Sequence, residues 1–197
     1  MDCLAEEKSM KSLMDDIIKY EPWDEKETAE KEMILEFLQN HQDAFHRTNM
    51  AGHMTVSAWV VNPEHTKVLM AYHKLYDSWA WLGGHADGCT DLVSVAVKEA
   101  CEEAGLGADE VHPVSREVLS LEVLPVSGHV KKGKWVPSHL HYNVTYLLEA
   151  SEEAVLKVNE EENTDVAWFA LEDVQKASKE PWFVEHIYSK LIAKMNR

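Results

Sequence analysis

Gly84-His85-Ala86-Asp87-Gly88-Cys89-Thr90-Asp91-Leu92-Val93-Ser94-Val95-Ala96-Val97-Lys98-Glu99-Ala100-Cys101-Glu102-Glu103-Ala104-Gly105-Leu106 is the stretch whose reading decides the fold. From about Asp91 to Ala104 the residues Leu92, Val95, Ala96 and Ala100 line one side at helical spacing, and Gly105 predicts a left-handed cap. On that helix Glu99, Glu102 and Glu103 stand at i, i+3 and i+4, so three carboxylates project from one face. Like charges at these spacings cost an isolated helix roughly 0.2–0.5 kcal/mol per pair. The helix macrodipole also disfavours anions toward the C-terminus. A cost taken twice needs a reason. Oxygen ligands on one face are what a hard cation such as Mg²⁺ takes, with coordination positions left for water and phosphate. Taken alone, a Glu-Glu pair near a helix end is a solvated face and Gly-Gly is a turn. Their combination at this spacing points to a metal site.

Working outward, Met54-Thr55-Val56-Ser57-Ala58-Trp59-Val60-Val61 is a β-rich run ended by Asn62-Pro63, and Val68 to Tyr72 is a second strand, so the two form a hairpin. Trp79-Ala80-Trp81-Leu82 leads into Gly83-Gly84 and a loop. Downstream, strands are expected at Glu117 to Val126, Tyr142 to Leu148 and Val166 to Phe169. Helices are expected at Leu171 to Lys176 and Val184 to Met195. Upstream, Asp24 and Glu27 form a capping box, and Met33, Ile34, Phe37 and Leu38 recur at helical spacing. These apolar stripes, with Ile17 and Ile18, need a surface to cover. The helices are therefore expected to pack on the rest of the chain or on a second subunit, in a structural or oligomerisation role. No repeat or low-complexity linker interrupts the chain. The expected architecture is α/β: a helical N-terminal extension over 1–51, then one mixed-sheet domain over 52–197.

Composition narrows the function. The chain has 197 residues, 45% hydrophobic and 27% charged, as in an ordinary globular protein. No apolar run approaches the roughly 18 residues of a membrane span, and the acidic start lacks the features of a signal peptide. Cys3, Cys89 and Cys101 are odd in number and form no C-x-x-C pair. This argues against a disulfide framework and a structural zinc site, and fits a reducing cytoplasm. A net charge of −16 repels duplex nucleic acid and anionic membranes. The one basic cluster, Lys131-Lys132-Gly133-Lys134, is expected to be a turn. The same acidity opposes an anionic small substrate, unless divalent cations invert the local field.

The opening stretch resembles the Nudix box, G-x5-E-x7-R-E-U-x-E-E-x-G-U with U a bulky apolar residue. Gly84, Glu99, Glu102, Glu103, Gly105 and Leu106 match in register, and small, apolar Ala100 takes a U position. Thr90 stands where the family has Glu and Lys98 where it has Arg. The family's pair braces the loop, and Lys is no bidentate replacement for Arg. Asp87 or Asp91 is the expected partner of Lys98. Trp79 to Gly84 is similar to the family's W-x-x-P-G-G lead-in, with Leu82 in place of Pro. Asp165 to Asp173 is similar to its late strand-to-helix segment. Over about 52–178 the resemblance implies a Nudix-type α/β/α sandwich and a Mg²⁺-dependent hydrolase, Mn²⁺ being an alternative, that cleaves the diphosphate linkage of a small molecule. It implies Glu102 and Glu103 as main metal ligands, with Glu99 as ligand or as general base. Many members add a glutamate from a loop before the late strand. Glu160, Glu161 and Glu162 are the candidates here, with Glu162 carried forward, and a solvated acidic loop is the plain alternative. Family dimers make a homodimer plausible.

Gly83 and Gly84 lack a Cβ and allow phosphate or metal to approach the backbone. His85 follows directly. His139 and His141 share a strand face and, with His73, are candidates to contact substrate; ordinary hydrogen-bonded structural roles are the rival reading. Trp59, Trp79, Trp81 and Trp135 are candidates to stack on a base, and Trp168 reads as core. Two other functions compete. A diphosphate isomerase of the same fold needs a reactive cysteine with histidine metal ligands near it, and no N-T-C-type segment is present. A sensor domain that has lost hydrolysis would carry degenerate carboxylates, and all three remain. Substrate identity is not legible, because selecting residues are scattered over strands and loops.

Overall fold

The computed structural model describes residues 3–131 and 133–195, with side chains from residue 9 onward. The chain opens with α1 (Cys3–Lys19) and α2 (Glu25–Asn40). The start of α2 follows its sequence: Asp24 Oδ1 accepts from the Glu27 amide at 2.8 Å, while Glu27 reaches back to the Trp23 amide. Four strands come next, β1 (Gly52–Val61), β2 (Lys67–His73), β3 (Ser78–Ala80) and β4 (Leu82–His85), and then α3 (Leu92–Ala104). The remaining strands are β5 (Val111–Pro113), β6 (Ser120–Val126), β7 (His129–Lys131), β8 (Lys134–Val136), β9 (His139–Ala150) and β10 (Asn163–Ala170). A 3₁₀ turn, α4 (Val174–Ala177), α5 (Pro181–Phe183), a π turn at Val184–Tyr188 and α6 (Ser189–Met195) close the chain.

The principal sheet is mixed, in the order β10-β2-β1-β9-β5. β1 runs parallel to β9 from Gly52↔Leu140 to Val61↔Glu149, and antiparallel to β4 and β2 on its other side. β6 extends the sheet beyond β9, and β7–β8 is a separate hairpin. Alternation along β1 sorts the two faces. Met54, Val56, Ala58 and Val60 join a core with Leu92, Val95, Ala96 and Ala100 of α3 and with Ile17, Ile34, Phe37 and Leu38 of the N-terminal helices. Trp59 and Val61 face the other way, against Ile187, Tyr188 and Leu191. Helices thus cover both faces of the sheet, giving the expected sandwich. On the Trp59 face, however, His53, Thr55 and Ser57 are polar and buried.

Several expectations change. Gly83 and Gly84 belong to β4, paired as Ser57↔Gly83 and Val56↔Gly84, and not to a loop. A Cβ at Gly83 would stand 2.3 Å from the Val56 carbonyl oxygen, so the missing side chain at Gly83 permits this strand to close on β1. Trp59 is fully buried and therefore unavailable to stack on a base. Ile18 and Met33 are 54% and 43% exposed, because on a helix they point about 100° away from buried Ile17 and Ile34. Among the described residues, no helix is long and apolar enough to cross a membrane.

Candidate active site

Gly105, at φ 68°, ends α3 in the left-handed conformation, and the helix lies against β4. This packing sorts the three glutamates. Glu103 is 5% exposed; its Oε2 accepts from the Gly83 amide at 2.8 Å and its Oε1 from Asn163 Nδ2 at 3.1 Å. It therefore ties α3 to β4 and to β10. Glu99 lies so close to β4 that a Cβ at Gly84 would stand 2.3 Å from its Oε2. Glu102 faces solvent. Burial raises the pKa of Glu99 and pushes Glu103 up to about 7, with the nearby charge of Glu162 acting in the same direction on both. The Glu162 charge is thus felt at the α3 carboxylates, while its Oε1 lies 3.7 Å from Lys131 Nζ. The donors are carboxylate oxygens grouped on one helix face, which fits a hard divalent cation. A cation there would lower the raised carboxylate pKa values again.

A tight turn joins β4 to α3. Asp87 and Gly88 have φ of 46° and 89°, and the Cys89 amide donates to the Ala86 carbonyl at 2.9 Å. These are the positive φ values of a type I′ turn, which glycine and aspartate tolerate.

A family model described as NUDIX domain matches residues 52–191, more than half of the chain. The chain belongs to the Nudix hydrolase family. It is accordingly a hydrolase, with cleavage of pyrophosphate linkages as its general class of activity and a divalent metal as the family's usual requirement. Among solved structures, a C. elegans Ap4A hydrolase is 17% identical with a TM-score of 0.51, the match covering 73% of this chain and 94% of that one. A NUDIX-family hydrolase from Clostridium perfringens is 22% identical, with a TM-score of 0.45 and coverage of 71% and 95%. An ADP-ribose pyrophosphatase from Streptococcus suis is 17% identical, with a TM-score of 0.49 and coverage of 73% and 89%. Likenesses at this identity speak for the fold alone. No curated protein matches the chain.

This Nudix chain braces its box from outside it. Lys98 does not pair with Asp87 or Asp91: its Nζ lies 3.0 Å from Glu102 and 3.3 Å from Glu99, its near neighbours on α3. Asp87 instead takes a two-pronged bond from Arg47, with the Nε contact at 2.6 Å. Asp91 is held by Arg116 at 2.6 Å and by Ser94 at 2.6 Å. The Gly88 amide donates to the Phe45 carbonyl at 2.8 Å, and a Cβ on Gly88 would press against His46. The N-terminal extension thus holds the box loop directly.

The histidines divide. His73 packs on Tyr76, with ring centroids 4.6 Å apart. His139 and His141 do meet, and His85 joins them. The fourth member, His53, was not expected, because the strand reading began at Met54; the polar alternation His53, Thr55, Ser57 was the available signal. Burial holds His85 at about 3 and His141 at about 2, and it lowers His53. A diphosphate isomerase would need a reactive cysteine here. The Cys89 thiol instead faces the Asp91 carbonyl at 3.7 Å, Cys101 lies on α3, and the histidine group contains no cysteine.

Proposed function

We propose that this Nudix hydrolase uses water to cleave the diphosphate linkage of a nucleoside diphosphate-linked or related small molecule. Glu99, Glu102, Glu103 and Glu162 would hold the cation, Mg²⁺ in the first place and Mn²⁺ as the alternative. The reading is carried by one observation, the gathering of Glu99 and Glu103 against the Gly83–Gly84 backbone. A bound divalent cation would supply a more acidic water and screen the charge of the diphosphate.

The chain's own residues have separable roles. Glu103, with both oxygens engaged by Gly83 and Asn163, fixes the spacing between α3 and β4. Glu99, beside Gly84, is placed to accept the proton of the attacking water or to serve as a ligand. Glu102 faces solvent, where substrate arrives, and Gly84, having no Cβ, makes room for the Glu99 carboxylate against the backbone of β4. Lys98, 60% exposed, can leave its two glutamates for a phosphate oxygen. Water adds to one phosphorus, the bridging P–O bond breaks, and the second phosphate leaves with its oxygen. His85, His139 and His141 meet one another and not the carboxylates. A reducing compartment is proposed as well, since Cys89 and Cys101 are free thiols.

Glu102→Gln tests the reading. With a substrate found by screening nucleoside di- and triphosphate derivatives, kcat falls by about a hundredfold or more, the scale of losing a charge-stabilising group. The circular dichroism spectrum stays unchanged. A Glu102→Gln protein as active as the parent contradicts the assignment.

A further inference from the structure

Across β4 from the carboxylates, four imidazoles converge. One ring nitrogen from each of His53, His85 and His141 falls within 4.8 Å of the other two, and His139 Nε2 stands 3.2 Å from His141 Nε2. Strand register brings them together: β1 and β9 pair His53↔His141, and β1 and β4 pair Thr55↔His85. Successive residues of a strand point to opposite faces. Gly84 accordingly meets Glu99 on the α3 side, while His85 meets His53 and His141 on the other.

The hydrogen bonds of the cluster select a chemistry. His53 is 5% exposed, its Nδ1 lies 3.3 Å from the Asn49 carbonyl oxygen, and its buried Nε2 has no hydrogen-bond partner. A carbonyl at Nδ1 holds the proton there, so Nε2 presents a bare lone pair. His139 repeats the pattern, with Nδ1 2.8 Å from the Pro137 carbonyl oxygen and Nε2 turned to His141. A backbone carbonyl on the far nitrogen is the usual support of a metal-ligating histidine. Lone pairs facing one another across a small, partly buried space repel unless a cation or a proton lies between them.

We propose that His53, His85 and His141, with His139 as fourth donor, bind a borderline transition-metal cation, best matched by Zn²⁺, at a site distinct from the carboxylate site. Neutral imidazoles suit Zn²⁺, Co²⁺ and Ni²⁺, whereas Mg²⁺ takes oxygen. Tetrahedral Zn–N bonds of 2.0–2.1 Å place ligand nitrogens about 3.3–3.4 Å apart. The His139–His141 spacing of 3.2 Å is close to this, and the nitrogens of His53, His85 and His141, within 4.8 Å of one another, would draw together around the cation. The missing C-x-x-C pair excludes only a cysteine-based zinc site. The cation would join the starts of β1 and β9 to the end of β4, where the box loop begins, and so hold that loop from the side opposite α3.

The test uses the full chain, stripped with chelator and titrated with Co²⁺, whose d–d absorption reports tetrahedral nitrogen ligation, and with Zn²⁺ by calorimetry. One equivalent per chain is expected to bind with an intense tetrahedral spectrum and to raise Tm. His141→Gln and His85→Asn each weaken it by at least tenfold, and Glu99→Gln/Glu102→Gln leaves it in place. His53→Ala is informative if it folds; the other two variants decide the matter if it does not. Three results overturn the proposal: no binding by the parent chain, equal binding by the His141→Gln and His85→Asn proteins, or an octahedral spectrum lost with the carboxylates. The readouts are spectroscopic and calorimetric, so failure of the hydrolase reading would leave them interpretable.

Discussion

Lys98 and Thr90 occupy positions where the family pairs an arginine with a glutamate, and the consequences run in two directions. Thr90 offers no carboxylate, so the loop takes its positive charges from Arg47 and Arg116, through Asp87 and Asp91. Lys98 is left beside Glu99 and Glu102, where it offsets the negative charge a cation would otherwise neutralise. Loop bracing and charge offset are therefore separable by mutation. Arg47→Ala speeds hydrogen exchange at the Gly88 amide and lowers stability by about 0.2–1 kcal/mol, since both partners of the pair are exposed. Lys98→Ala leaves exchange in the loop unchanged and tightens Mg²⁺ binding, read by calorimetry. If Lys98→Ala loosens the loop as much as Arg47→Ala, the brace has been assigned to the wrong residue.

The elements are pinned by polar contacts as well as by apolar faces. Glu27 of α2, 1% exposed, accepts from the Leu121 amide at 3.0 Å and from Ser120 Oγ at 3.0 Å on β6, and pairs with Lys190 of α6 at 2.8 Å. Burial opposes its charge, but Lys190, the backbone bond and Lys194 outweigh burial and hold its pKa at about 2, against 4.5 in the open chain. Glu27 therefore contributes its full stability above about pH 4.5, and the contribution is lost as pH falls toward 2. Glu27→Ala, which strands Lys190 beside Glu122 alone, costs about 3–5 kcal/mol. Urea midpoints measured at pH 6 and pH 2.5 should fall more for the parent than for the variant; equal falls would remove Glu27 from the acid sensitivity. The N-terminal cap was legible, because Asp24 and Glu27 have capping-box spacing. Burial of Glu27 was not, since its cation comes from 163 residues further along the chain. The same distinction runs through the fold. β1, α3 and β9 carry enough periodicity to be read, whereas β4 is four residues with two glycines and looks like a turn until β1 is beside it. In the site, the carboxylates were legible because a helix fixes their spacing. Arg47, Arg116 and His53 were not, because only tertiary pairing brings them there.

At the scale of the molecule, the N-terminal helices are part of the core. Ile17, Ile34, Phe37, Leu38, Ala44 and Phe45 share one apolar cluster with β1 and α3, and the Met54 amide donates to the Ala44 carbonyl at 2.8 Å. Burying each large side chain contributes about 1.5–3 kcal/mol, against a total stability of about 5–15 kcal/mol for a protein. A chain starting at Gly52 should therefore lose its cooperative melting transition and elute as aggregate in size-exclusion chromatography. Retention of the parent's Tm and apparent mass would make the extension a loose appendage. The central claim, that a carboxylate-bound divalent cation enables hydrolysis of a diphosphate linkage, is tested most directly by turnover of the screened substrate in EDTA, followed by excess Mg²⁺. EDTA is expected to abolish phosphate-bond cleavage, and excess Mg²⁺ to restore it in the parent but not in the Glu102→Gln protein; undiminished turnover in EDTA would rule out a carboxylate-bound cation.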